Sequence, residues 1–99
     1  MSADIEIAEF PYHSGNVKFR SARYLSADGT HWIRHGPFQA FYESGQIASE
    51  GQFDQDKESG LWRNFHENGQ VAAEGSYLDG KKVGEWRYWD TSGATASSQ

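Results

Sequence analysis

The chain has 99 residues with 14 acids against 9 bases, a formal net charge of -5, which repels phosphate backbones and anionic leaflets and steers basic proteins inward. Its 15 aromatic rings outnumber its 10 Ile, Val and Leu residues, so flat, wide side chains must supply a thin core, and they favour strands. With no cysteine there are no disulfides, thiolate metal sites or thiol nucleophiles; with no leader-like start and no long apolar run, the expectation is a cytoplasmic protein that binds neither membrane nor nucleic acid.

In chain order, residues 5–24 read as a hairpin about Ser14-Gly15. Counting outward pairs Tyr12 with Val17, Phe10 with Phe19, Glu9 with Arg20, Ile7 with Ala22, Glu6 with Arg23 and Ile5 with Tyr24. One aromatic pair and two opposite-charge pairs appear, the combinations that stabilise neighbouring strands. Residues 25–35, containing "SADGTHWIRH", read as a linker. From Gly36 the chain repeats itself: "GPFQAFYESGQIASEGQFDQDKES" (36–59), "GLWRNFHENGQVAAEGSYLDGKKV" (60–83) and a partial "GEWRYWDTSG" (84–93) share glycine, aromatic and apolar positions at one interval.

Each repeat holds two short alternating runs about a turn signal. Ser44-Gly45 and Asn68-Gly69 read as two-residue type I′ turns, in which both central residues take positive φ. From Asn68-Gly69, His66 faces Val71, Phe65 faces Ala72, Asn64 faces Ala73, Arg63 faces Glu74 and Trp62 faces Gly75, with the indole expected over that glycine's bare backbone. The neighbouring repeat gives the same register, pairing Phe38 with Gly51, Phe41 with Ala48 and Tyr42 with Ile47. Between repeats, Asp79-Gly80 reads as a turn, and Asp56 in the equivalent glycine position predicts a looser one. The final "ATASSQ" (94–99) is expected as a disordered tail, too poor in apolar groups to order itself.

Residues 1–93 are therefore expected as one all-β repeat domain: an elongated, twisted, single-layer antiparallel meander of successive hairpins. Alternation places Phe38, Trp62, Trp86, Ile47, Val71, Phe53 and Tyr77 on one face, and Phe41, Phe65, Trp89, Ala48 and Ala72 on the other.

The run from Gly60 to Gly80 resembles the bacterial variant of the MORN repeat, roughly G-x-W-x-x-[FY]-x-x-x-G-x-[LIV]-x-x-[EK]-G-x-[YF]-x-x-G. The likeness covers about residues 36–93. It implies a β-hairpin array used for binding or scaffolding, and bacterial proteins built of such repeats are often described as YwqK-like antitoxins. Phe38 stands where that pattern has Trp, and Gln46, Gln52 and Gln70 stand where the family often has lysine, which argues against acidic-lipid binding.

Nothing in the sequence points to catalysis, a cofactor or a resident metal. His31 and His35 in "HWIRH" have the four-residue spacing that chelates zinc on a helix, but on a strand their rings would lie about 13 Å apart. His66 beside Glu67 points to the opposite face. Asp54, Asp56 and Glu58 read as a solvated loop, with no glycine to shape it around an ion. The rings and acids left over give a candidate partner-binding set of Tyr42, Trp62, Trp86, Tyr88, Trp89, Glu43 and Glu67, aimed at a basic protein such as a toxin or effector. An antitoxin or immunity protein is the sharpest form of that expectation. Self-association through unpaired strand edges is the alternative.

Overall fold

The computed structural model describes residues 4–96. These form one eight-stranded antiparallel sheet whose spatial order is the chain order: β1 (Glu6–Pro11), β2 (Val17–Leu25), β3 (Trp32–Phe41), β4 (Ile47–Asp54), β5 (Lys57–Phe65), β6 (Val71–Leu78), β7 (Lys81–Trp89) and β8 (Thr95–Ala96). The sheet measures 47 × 36 × 18 Å, with a radius of gyration of 15.2 Å against about 13 Å for a compact domain of this length. A single layer has no second sheet to pack against. Only Ala22, Phe53, Trp62 and Ala73 are buried apolar residues among those described.

The hairpin turns along one rim depart from the expected type. At Tyr12–Gly15, Tyr42–Gly45, His66–Gly69 and Asp90–Gly93, the first residue's N–H donates to the carbonyl four residues on, and the glycine N–H donates back to the first residue's carbonyl. Positive φ falls on the glycines, 91° at Gly69, and not on Asn68 or the serines. These are three-residue loops, a type I turn followed by a left-handed glycine, and not type I′ turns. Asn68 is used differently: its Oδ1 accepts the Gln70 N–H at 2.9 Å and its Nδ2 donates to the Thr91 carbonyl at 2.7 Å, tying one turn to the next.

Yet the body register agrees with expectation: Phe10 faces Phe19, Phe38 faces Gly51, and Asn64 faces Ala73. The three-residue loop slips the strands by one, and a bulge beyond it at Lys18, Ala48 or Ala72 slips them back. Between the two offsets the expected pairs fail. Phe41 faces Ile47 and Phe65 faces Val71, so Ile47 and Val71 lie on the opposite face from the one alternation assigned.

At the other rim the turns Gln55-Asp56 and Asp79-Gly80 are tight two-residue turns with positive φ at both positions (52° and 69°; 52° and 81°). The expected looseness at Asp56 is absent because Arg34 holds it. The Asp56 N–H donates to the Arg34 carbonyl at 2.8 Å, and its carboxylate accepts the Arg34 N–H at 2.9 Å and the guanidinium at 3.2 Å. These bonds hold its carboxyl below the ordinary carboxylate value. Residues 32–35, expected as linker, are already strand, because Arg34, Ile33 and Trp32 pair with Arg23, Tyr24 and Leu25. Thr95 and Ala96, expected in the tail, pair with Trp89 and Tyr88; 97–99 lie outside the described residues.

In the loop joining β2 to β3, the Ser26 and Thr30 hydroxyls both donate to Asp28 Oδ1 at 2.7 Å, and the Thr30 N–H adds a third bond. These bonds hold the Asp28 carboxyl at about 2, against an ordinary 3.8. The folded form therefore favours the anion. The loop's added stability is present above pH 3.8 and is lost as pH falls through about 2. Protection of the Gly29 to His31 amides, taken relative to their intrinsic exchange rates, is expected to fall over that acid window in the wild type, and to be low throughout in Asp28→Asn.

Each repeat boundary is built from a glycine, a bulge and a ring. Between the pairs Glu50–Arg63 and Gln52–Ser59, the single Gly51 stands against Gly60, Leu61 and Trp62; Gly75 stands likewise against Gly84, Glu85 and Trp86. The two extra residues turn the indole back over the preceding hairpin. A Cβ on Gly51 would fall on the Trp62 ring, and one on Gly75 on the Trp86 ring. Trp62 Nε1 donates to the Gln52 carbonyl at 3.0 Å and Trp86 Nε1 to the Ser76 carbonyl at 3.1 Å. Trp62 does pair with Gly75 across its own hairpin, but its ring lies on Gly51, so the tryptophans join hairpins to one another. At the first boundary the step falls one residue later: Ser21 pairs directly with Phe38, and Ala22 stands against His35, Gly36 and Pro37.

Together these rings cross one face from β1 to β7. Phe10, Phe19, Phe38, Trp62, Tyr77, Trp86 and Tyr88 lie 4.7 to 6.4 Å apart in sequence, with Phe53 edge-on to Phe38 and Trp62.

Candidate protein-binding surface

The other face carries charge. Cross-strand pairing lines up Glu9, Arg20, Gln39, Glu50, Arg63, Glu74 and Arg87, one from each of β1 to β7. Arg20 Nε lies 2.8 Å from Glu9 Oε2, and its Nη1 donates to Gln39 Oε1 at 3.1 Å. Arg63 spans two neighbours, 2.6 Å from Glu74 and 3.5 Å from Glu50. Glu74, then Glu50, hold the Arg63 guanidinium's pKa above its ordinary value. The side chains of these three ion pairs are 27% or more exposed, so each pair is worth at most about 1 kcal/mol. The ladder mainly makes one register cheaper than its slipped alternatives.

Beside the ladder, towards the glycine-turn rim, runs an apolar row of half-buried residues: Val17, Phe41, Ile47, Phe65, Val71 and Trp89. A recurrent hydrogen bond from the preceding hairpin fixes its backbone. The Tyr12 hydroxyl donates to the Phe41 carbonyl at 2.7 Å, the Tyr42 hydroxyl to that of Phe65 at 2.5 Å, and His66 Nε2 to that of Trp89 at 2.9 Å. His66 thus does a tyrosine's work. Two open hollows recur along the row. One, of about 310 Å³, lies between Val17, Arg20 and Phe41; the other, of about 300 Å³, between Val71, Glu74 and Trp89. The Arg20 guanidinium sits over the Phe41 ring at 5.4 Å. Exposed Glu43 and Glu67 edge the row at the turn tips. Asp90 lies at the same rim, and the Ser92 hydroxyl and N–H hold its carboxyl below its ordinary value.

The expected partner-binding set is therefore split between faces. Trp89, Glu43 and Glu67 meet at this row, and Tyr42 lies behind it as a staple. Trp62, Trp86 and Tyr88 project from the ring-bearing face, and Trp62 is only 7% exposed. Phe41 and Phe65, which alternation places on one face with Trp89 at the repeat interval, are absent from that expected set. The signal was that interval; alternation had separated them from Ile47 and Val71. Of the other polar candidates, His35 Nδ1 accepts the Gln55 N–H at 3.2 Å and lies 3.5 Å from Asp54, while Asp56 is held by Arg34. His31 is exposed in its loop. No group of three metal-ligating side chains converges among the described residues.

Residues 34–55 and 58–79 each match the family model described as a MORN repeat variant. Each match spans one hairpin, β3–β4 and β5–β6. The hairpins on either side lie outside the matched segments but carry the same glycine turn. No curated protein and no solved structure matches the chain.

Proposed function

We propose that these MORN-variant repeats form a non-catalytic protein-binding module, gripping a basic, helical segment of a partner along the row of Phe41, Phe65 and Trp89. One observation carries the reading: three rings at the repeat interval, with charges on one flank and Glu43 and Glu67 on the other. Successive rings are two strands apart, about 9.6 Å. A helix crossing the strands offers residues i, i+7 and i+14 about 10.5 Å apart on nearly one face. An extended segment matches that distance only every third residue, which alternation turns away. Lysines or arginines beside the helix's apolar stripe would meet the carboxylates at the turn tips. Neutralising a basic toxin, as an antitoxin or immunity protein does, is the form of this function that the repeat resemblance favours.

Affinity capture from the organism that encodes the chain, with identification of bound proteins, tests this. A basic partner is expected with the wild type. Glu43→Lys/Glu67→Lys is expected to weaken it about tenfold at low salt, and Trp89→Ala at least as much. A partner indifferent to all three substitutions sinks the proposal.

A second reading, self-association, is favoured by β1, which pairs only with β2 and leaves Ile7 57% exposed, with the preceding Ile5 49% exposed. Light scattering showing one unchanging monomer mass over a hundredfold concentration range removes it.

A further inference from the structure

On the ring-bearing face, the β6–β7 end holds a corner of aromatic walls. Trp86 and Tyr88 lie 6.4 Å apart at 30°, and Tyr77 meets Trp86 edge-on at 5.1 Å and 78°. The exposed Lys82 reaches into that corner. Its Nζ lies 4.6 Å from the Trp86 ring centre, 5.6 Å from that of Tyr88, and 3.1 Å from the Tyr88 phenol oxygen. The phenol contact holds the Lys82 ammonium's pKa above its ordinary value.

Three features set this cluster apart from the other cation–ring contacts. Arg20, Arg23 and Arg34 each lie over a ring, but each also grips a carboxylate, and Lys18, which has no ion pair among the described residues, lies over one ring alone, that of Tyr12 at 5.7 Å. Lys82 makes no ion pair among the described residues, and rings and a phenol alone hold it. Nor does the repeat require it. The residues 24 positions earlier are Glu58 and Asn64, so the same fold forms without Lys82 or Tyr88 at those places. Finally, one wall is set in advance, because Gly75 and the Ser76 carbonyl fix the Trp86 indole.

We propose that Trp86, Tyr88 and Tyr77 form a binding site for an alkylammonium group, the side chain of a lysine on a partner protein, and that Lys82 is a resident occupant which the incoming cation displaces. Ring faces attract a cation most strongly when it gives up little hydration, so a methylated lysine is the best-held form. The site is on the face opposite the Phe41–Phe65–Trp89 row and does not rest on the function proposed there.

The test is a titration of the full chain with acetyl-trimethyllysine methylamide at constant ionic strength, following the Trp86 and Tyr88 ring resonances by NMR. Acetyl-norleucine methylamide serves as the uncharged match. Lys82→Ala is expected to saturate at about a three- to fivefold lower concentration than the wild type, as removal of a weak competing contact predicts. The uncharged compound should leave both rings unmoved. Lys82→Ala/Tyr88→Asn, which borrows the Asn64 of the preceding repeat and so keeps the sheet, should lose at least about threefold. Unchanged Trp62 and Trp89 indole resonances would confirm an intact fold. Equal midpoints in wild type and Lys82→Ala, equal shifts with the uncharged compound, or no loss on removing Tyr88 each overturn the proposal.

Discussion

Gly51→Ala is expected to lower the unfolding free energy by about 3–5 kcal/mol, close to the cost of deleting a buried aromatic ring. The added methyl lands on the Trp62 indole. Trp62 is fixed on its other sides by Phe38, Phe53 and Tyr77 and by its bond to the Gln52 carbonyl. Overpacking relieved by small shifts costs about 1–3 kcal/mol, but here the ring must leave its seat. A chain of this length has about 5–15 kcal/mol in total, so the variant should show a much lower urea midpoint. In Gly51→Ala/Trp62→Phe the smaller ring makes room, and at least about 1 kcal/mol of the loss should return, a positive coupling in a double-mutant cycle. A Gly51→Ala protein within about 1 kcal/mol of wild type would show that the indole does not need a bare floor.

Trp62→Ala should cost about 3–5 kcal/mol, and Trp86→Ala markedly less, because Trp86 is only half-buried. The patterns of failure should differ more than the sizes. In an array where each unit touches only its neighbours, stability is a sum of units and interfaces. Removing Trp62 cuts the interface in the middle, so β1–β4 and β5–β8 should exchange amide hydrogens as two separate blocks. Removing Trp86 should loosen only β7 and β8. Hydrogen exchange resolved by residue distinguishes the two, and uniform acceleration in both variants would count against the interface role.

Much of this architecture could be read from residue order. The interval between Gly36, Gly60 and Gly84 marked the units, and glycine, aromatic and charge complementarity set the body register, including Arg63 with Glu74 and Glu9 with Arg20. What stayed hidden was local geometry in which two departures cancel. Counting from Asn68-Gly69 as a two-residue turn reaches Trp62–Gly75 correctly only because the Ala72 bulge undoes the extra loop residue. The same cancellation concealed that Val71 faces Phe65, and with it the apolar row. Pairing between repeats was less legible still. Three residues oppose one at Gly51 and Gly75, and no alternation rule foresees such a step. Hence alternation points to Gly75, in the same hairpin, as the floor of Trp62, and gives no sign that the charge ladder continues through Glu50.

The backward lean of each indole gives the molecule a direction. Trp62 needs Gly51, and Trp86 needs Gly75, but neither floor needs the ring that will later cover it. A chain leaving the ribosome can therefore fasten every new ribbon at once onto one already made, without waiting for anything downstream. Growth of this kind resembles laying roof tiles, each course resting on the last, and a gene could lengthen it by whole courses without disturbing those beneath.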